Sequence, residues 1–329
     1  MEQVPLLSGA LDRLTGRART IEGGKVDIDI GAHLIGSAMI ARAIRRSEPL
    51  TIIAHSTLAP LAIAIQYSTM DAAKICHLHD IPISDMIQSA SGSRSTLFRK
   101  LVEVWERLVI GKSNSLTCTT LEAAKYWRAR YGVRPVVVYP GCTPAGNLPK
   151  KGHYVMAITS WERTRSPFKL LEIFERVSKT CDLDLVIAGR WQDNVLREQV
   201  QERITKTGLA SRIRVESDVP EERLIQLYRG ARCIVYPIRS KLVMTSLEAA
   251  ANGVPIVAPF GSEPWNMFEP GRHGIAVEED SISQYCDAII AFSNEDFLLR
   301  QSSEILRKSR DYTWEKHAER MEQIVGGLS

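Results

Sequence analysis

From residue 150 onward, segments that look like strands and segments that look like helices alternate strictly, and this alternation constrains the fold more than any other feature. Apolar runs at 153–159, 183–188, 212–216, 233–237, 254–258 and 274–277 are each short and bounded by breakers, the pattern of buried strands. Helical patterns lie between the first four, near 166–180, 193–208 and 220–230. Gly208 and Pro220 fall at helix edges, where their backbone preferences fit. Such alternation predicts a parallel sheet covered by helices on both faces.

The first half alternates less regularly: helix 32–46, strand 50–54, helix 60–71, strand 74–78, helix 94–111, strand 115–118, helix 119–131 and strand 135–138. Pro140 to Lys151 is rich in Pro and Gly and reads as a linker. The 329 residues allow two domains with ample core. Residues 1–150 hold 18 Lys and Arg against 12 Asp and Glu, a mild basic excess that suits a mixed solvated surface. No Lys/Arg run with interleaved aromatics points to nucleic acid. Six scattered Cys without a CxxC pair read as reduced, buried thiols of a cytosolic protein. There is no signal-peptide pattern. The uncharged span Thr51 to Met70 is interrupted by His55, Ser56, Pro60 and Gln66, so it reads as strand, turn and helix, with Pro60 in the first helical turn.

The stretch Thr245 to Val277 (TSLEAAANGVPIVAPFGSEPWNMFEPGRHGIAV) carries the most specific signal. Thr245 or Ser246 can cap a helix, Gly253 suits the left-handed residue that ends it, and Val254 to Ala258 reads as a buried strand. Glu248 is then expected in the first helical turn, at the strand ends where anionic and hydroxyl-rich ligands bind. This stretch resembles the signature of the family 4 retaining glycosyltransferases (glycosyl transferases group 1). The resemblance covers roughly residues 50–329. It implies the GT-B fold, an α/β architecture of two Rossmann-like domains with parallel sheets facing across a cleft. The expected division is 1–148 for an acceptor-side domain, 149–311 for a nucleotide-sugar domain, and 312–329 for a helix that crosses back, with Trp314 helping to join the two. Residues 1–25 show no strand, Gly-rich turn and helix, and Gly23-Gly24 follows no strand. The N-terminal domain is therefore expected to lack its first unit, as a reduced form or through a start further upstream.

The family likeness also implies a site. Glu248 matches a Glu that binds ribose hydroxyls. The segment Ile158 to Phe174 (ITSWERTRSPFKLLEIF) matches a strand and helix where the family carries an Arg and, five residues on, a Lys that grip the diphosphate. Ser160 stands at the Arg position, Arg165 at the Lys position, and Arg163 lies between. A guanidinium can bind two phosphate oxygens, so Arg165 suits the role of Lys. The first Glu of the family's paired-Glu motif falls on Ser240, so the sugar half of the site is altered. Met244 and Thr245 offer backbone N–H groups at a helix start. His79, in CHLHDIP, matches a His that touches the donor sugar, and Gly189 and Val219 match positions that line the base. The alternatives are a strand-end His, a solvated arginine turn, and ordinary turn and core positions.

His55 reads as a partner of nearby backbone. A metal site from Cys76, His77 and His79 is disfavoured, because strand alternation puts Cys76 on the opposite face. Asp27/Asp29 and Asp182/Asp184 form DxD triplets that read as structural, the latter pair preceding its strand. The expected activity is metal-independent hexosyl transfer with retention, without a cofactor, from a nucleoside-diphosphate sugar to a glycan or lipid-linked acceptor. Such an enzyme serves cell-envelope or polysaccharide synthesis in the cytoplasm. The other reading is a catalytically silent GT-B subunit that binds or scaffolds an active transferase. The helix Arg94 to Lys112 carries a stripe of Leu97, Leu101, Val104, Trp105 and Leu108 flanked by basic residues. This face suits the core or, peripherally, an anionic membrane at the inner surface of the cell.

Overall fold

The computed structural model describes residues 20–21, 25–26, 51–55, 72–78, 80–86, 93–239 and 241–328. The chain divides into two compact units, Met1–Val138 with Arg320–Ser329, and Tyr139–Glu319. The helices expected over 32–46 and 60–71 lie outside the described residues.

In the first unit β1 (Thr20–Ile21) and β2 (Lys25–Val26) pair antiparallel, so a two-residue strand does precede Gly23-Gly24 in the chain, contrary to the sequence expectation, and it pairs with the segment just after the glycines. Strands β3 (Thr51–His55), β4 (Ala73–Leu78), β5 (Ser115–Cys118) and β6 (Val136–Val137) form a parallel sheet in sequential order. Between β4 and β5 come α1 (Ile83–Met86) and α2 (Ser93–Lys112), and between β5 and β6 comes α3 (Leu121–Tyr131). Thr120 caps α3 by accepting the Ala123 N–H at 2.9 Å, and Gly132, at φ 73°, closes it. Alternation along β4 sends Cys76 and Leu78 into a core with Cys118, Ala123 and Trp127. His77, on the other face, pairs its Nδ1 with Thr117 Oγ1 at 2.9 Å.

The expected stripe of α2 is split. Trp105 packs toward the core, but Leu101, Val104 and Leu108 are exposed, and the buried face runs through Val102, Glu106 and Val109. Its centre is a fully buried carboxylate. Glu106 Oε2 accepts from Ser84 Oγ at 2.6 Å and from Tyr131 OH at 2.5 Å. A satisfied buried Glu is invisible to apolar periodicity, so the core reading of the stripe fails for Leu101, Val104 and Leu108. Among the described residues no helix is long and apolar enough to cross a membrane.

The second unit holds six strands: β7 (Tyr154–Ile158), β8 (Asp184–Ala188), β9 (Ile213–Glu216), β10 (Ala231–Val235), β11 (Ile256–Pro259) and β12 (Gly274–Val277). Their order is β12-β11-β10-β7-β8-β9, and every pairing is parallel. Its helices are α4 (Pro167–Val177), α5 (Asn194–Lys206), α6 (Glu221–Gly230), α7 (Val243–Ala251), α8 (Pro264–Met267), α9 (Ile282–Ala291) and α10 (Glu295–Ser309), followed by α11 (Trp314–Gly326), whose residues from Arg320 onward are counted with the first unit. Successive strand residues enter opposite cores. Val155, Ala157, Leu185 and Ile187 pack with α4, α5 and α9, whereas Met156, Ile158, Val186 and Ala188 pack with α6, α7 and Ile305 of α10. Both faces of the sheet are thus covered, which is why its strands read as continuous apolar runs.

The Pro- and Gly-rich segment is docked on the second unit. Cys142 N–H bonds Tyr312 O at 2.8 Å, Ala145 N–H bonds Ala251 O at 2.7 Å, and a Cβ on Gly141 would meet the Trp314 backbone at 2.5 Å. None of the six cysteines forms a disulfide, and all but Cys181 are buried.

Candidate functional site

In a doubly wound sheet the loops at the strand carboxyl ends diverge where strand order reverses, and ligands bind in the crevice that opens there. In the second unit this point lies between β7 and β10. A small depression occupies it, lined by Thr159, Trp161, Arg165, Tyr236, Ile238 and Leu242 among others.

Beyond β7 the chain passes Thr159, Ser160 and Trp161 and enters a single 3-10 turn, Arg163–Arg165. Ser166 then adopts φ 50°, a left-handed conformation that costs a residue with a Cβ about 1–2 kcal/mol, and Pro167 opens α4. Trp161 and Trp191 stand three residues beyond β7 and β8, whose register pairs Ile158 with Ala188, and their rings stack at 5.6 Å. Trp161 Nε1 donates to Ala188 O at 2.7 Å, its N–H bonds Arg190 O at 2.7 Å, and Gln192 N–H bonds Trp161 O at 3.0 Å. The two loops are therefore pinned to each other. Within them Arg165 lines the depression, its Nε 3.6 Å from Glu162, too far for a hydrogen bond. Arg163 donates instead to Gln199 Oε1 of α5 at 3.3 Å, and Ser160 Oγ accepts from Gln192 Nε2 at 2.5 Å. Of the three residues matched to the diphosphate grip, Arg165 alone is among those lining the switch point.

Gly189, at φ 118°, follows β8, and a Cβ there would lie 2.1 Å from Thr159 O. Glycine here lets two strand ends approach. Val219 follows Asp218, which has φ 49°, in the loop after β9, and packs partly buried on the α6–α7 side.

Helix α7 corrects the expected capping. It starts at Val243 with Leu242 at the cap position, and no side chain caps it. Thr245 and Ser246 lie inside the helix. Tyr236 OH donates to Thr245 Oγ1 at 3.0 Å, and Ser246 Oγ donates to Leu242 O at 2.6 Å. A buried tyrosine at the end of β10 and a backbone carbonyl thus take the hydroxyls that local rules assign to a cap. Glu248 consequently falls in the second turn and not the first. The exit follows expectation. Gly253 has φ 63°, with Val254 N–H bonding Ala249 O and Gly253 N–H bonding Ala250 O, each at 2.9 Å.

Glu248 is half-buried, and its Oε2 accepts from Tyr228 OH at 2.8 Å. Burial pushes its carboxyl above the ordinary value of 4.5, and the Tyr228 bond opposes that rise. Met244 is exposed in the first turn. His79, Ser240 and the His55 side chain lie outside the described residues. Asp182 and Asp184 sit at the amino-terminal side of β8, each 3.8 Å from Arg212, at the end of the sheet opposite the depression. Sequence reasoning missed Tyr228, Tyr236 and the tryptophan pair. Only the tryptophans left a local signal, their equal offset past adjacent strands.

A family model described as glycosyl transferases group 1 matches residues 144–309. Among curated proteins, the chain is similar to the D-inositol 3-phosphate glycosyltransferase of Nocardia farcinica, with 22% identity covering 66% of this chain and 53% of that protein. It is also similar to D-inositol 3-phosphate glycosyltransferase 1 of Catenulispora acidiphila, with 24% identity covering 66% and 58%. The chain spans about half the length of these two relatives. Among solved structures, HepE of Anabaena in complex with UDP and glucose superposes with TM-score 0.72 at 14% identity, covering 91% of this chain and 83% of that one. A sucrose-phosphate synthase from Thermosynechococcus elongatus does so with TM-score 0.69 at 14% identity, covering 95% and 82%. At such identity the likeness is one of fold.

Proposed function

The chain belongs to the glycosyl transferases group 1 and has the GT-B fold, with parallel sheets in two Rossmann-like units, and from that premise we propose that it transfers a sugar from a nucleoside-diphosphate donor to an acceptor hydroxyl with retention and without a metal. The observation that carries this reading is the meeting of Arg165 with the start of α7 at the switch point of the second sheet. A guanidinium and a helix N-terminus both favour the negative charge that builds on a departing diphosphate. Glu248, in the second turn of the same helix, is assigned to the ribose hydroxyls. Thr245 and Met244 present the first-turn N–H groups, and Gly189 and Val219 border the base. His79 is assigned to orient the sugar. Holding donor and acceptor hydroxyl on one face would supply most of the remaining rate. The UDP-glucose bound to HepE makes uridine donors the first to test. The acceptor class is a glycan or lipid-linked hydroxyl.

Arg165→Ala is expected to lower transfer or donor hydrolysis by about 10²–10³-fold, the loss typical of a removed charge-stabilising donor. Arg163→Ala, whose partner is Gln199, should stay within a few-fold of wild type. Rates would be followed by NMR with UDP-, GDP- and ADP-sugars. Unchanged turnover in Arg165→Ala would sink the assignment.

One observation favours a second reading. Ser160 is tied to Gln192 and Arg163 to Gln199, so neither places a cation beside Arg165. A catalytically silent subunit that binds nucleotide and supports an active transferase fits that arrangement. Nucleotide binding without turnover, across a panel of acceptors, would support it.

A further inference from the structure

Glu248 needs more than its place on α7 to act on a ribose. Two hydroxyls of one sugar bind a carboxylate well only when its oxygens are held in a fixed plane, and a Glu side chain has three rotatable bonds to freeze. The structure supplies the restraint from another element. Tyr228, in the last turn of α6, is 1% exposed, and its hydroxyl donates to Glu248 Oε2 at 2.8 Å. Glu248 Oε1 has no protein partner among the described residues. The helix that carries Glu248 is restrained as well. At its start Tyr236 OH reaches Thr245 Oγ1 at 3.0 Å, and at its end Asn252 Nδ2 donates to Glu248 O at 2.9 Å.

We propose that Tyr228 is a positioning residue of the donor site, its hydroxyl fixing one oxygen of Glu248 so that the carboxylate presents itself to the ribose hydroxyls of a nucleoside diphosphate. This rests on the assignment of Glu248 to ribose made above. Tyr228 is buried in the α6–α7 core, so it acts through Glu248 and not on the ligand directly. The bond also favours the ionised carboxylate against the burial that raises its pKa, and an ionised Glu accepts from both ribose hydroxyls where a protonated one would donate.

The test compares binding of UDP, GDP and ADP with that of their 2′,3′-dideoxy forms, by calorimetry on the full chain. Wild type is expected to prefer the ribose form of its nucleotide. Tyr228→Phe should weaken the ribose form roughly 5- to 10-fold, the net worth of one typical hydrogen bond, and leave the dideoxy form unchanged. The weakening should deepen as pH falls toward the carboxyl range. Equal losses for both forms would reduce Tyr228 to a packing role and overturn the proposal, as would an unchanged preference. A second comparison uses the Glu248→Ala background, in which no carboxylate is orphaned should Tyr228→Phe alone fail to fold. There Tyr228→Phe should add nothing to the loss of ribose preference, and any further loss overturns the proposal. Wild type that binds nucleotide without distinguishing ribose from dideoxyribose would instead remove the premise, the role of Glu248 itself, and the proposal with it.

Discussion

At position 189 one methyl group separates a close approach of two strand ends from a backbone clash. Gly189 combines φ 118° with a carbonyl, that of Thr159, 2.1 Å from where a Cβ would stand. No rotamer relieves that contact, because both partners are backbone. Gly189→Ala is expected to destabilise the protein by roughly 2–4 kcal/mol, through left-handed strain plus separation of the β7 and β8 ends. A urea titration would measure it, and a shift under 1 kcal/mol would mean that the loop yields freely. Ser166 shows the opposite choice, a residue with a Cβ kept at φ 50° directly after Arg165. Strain of this kind persists where the surrounding structure dictates the turn. The Trp161–Trp191 stack and the bonds beside it form that surrounding structure.

At the scale of elements, α7 carries Glu248 of the candidate site, and its exit has an ionisable partner. Lys151 Nζ donates to Asn252 O at 2.9 Å, just past the helix end, and desolvation pushes its pKa from 10.5 down to about 7. The sign follows from proton counting. Between pH 7 and 10.5 the unfolded chain binds the proton that the folded chain has released, so this group makes stability rise with pH across that window. Below the window both states are protonated and the contribution is flat at its least favourable value. Lys151→Met should abolish the slope. Urea midpoints at a series of pH values would show it as a difference, wild type minus variant, that increases with pH, and a constant difference would refute it. In α2 the lesson concerns faces. A buried Glu106 held by Ser84 and Tyr131 turns Leu101, Val104 and Leu108 outward, against the apolar pattern.

At the scale of the whole molecule, the described residues of the two units are unequally furnished. Among them the second unit has two cores, one on each face of a six-stranded sheet, and the first packs a smaller cluster around Cys76, Val109 and Trp127. Stability scales with the apolar area that leaves water on folding. Unfolding by urea is therefore expected in two steps, the first unit melting earlier. Amide exchange by mass spectrometry would show β4 and β5 losing protection before β7 and β8. A single coincident transition at both sites would contradict it.

The alternation of buried runs with helical patterns determined, from sequence alone, the six parallel strands of the second unit and the strands of the first from β3 to β6. Side-chain period and breakers are local properties, so they can be read without the fold. Gly253 was legible for the same reason, and so was the place of Glu248 on α7 beyond β10. The turn it occupies was not, because Tyr236 captures the hydroxyls that would otherwise cap the helix. Tertiary structure alone decided that Arg165 lines the switch point while Arg163 turns to α5, that Tyr228 holds Glu248 from 20 residues away, and that α2 buries a glutamate. Each of these depends on which side chains meet after the sheet has formed. Hydrogen bonds between elements are settled by distance and burial in space, and residue spacing along the chain does not encode them.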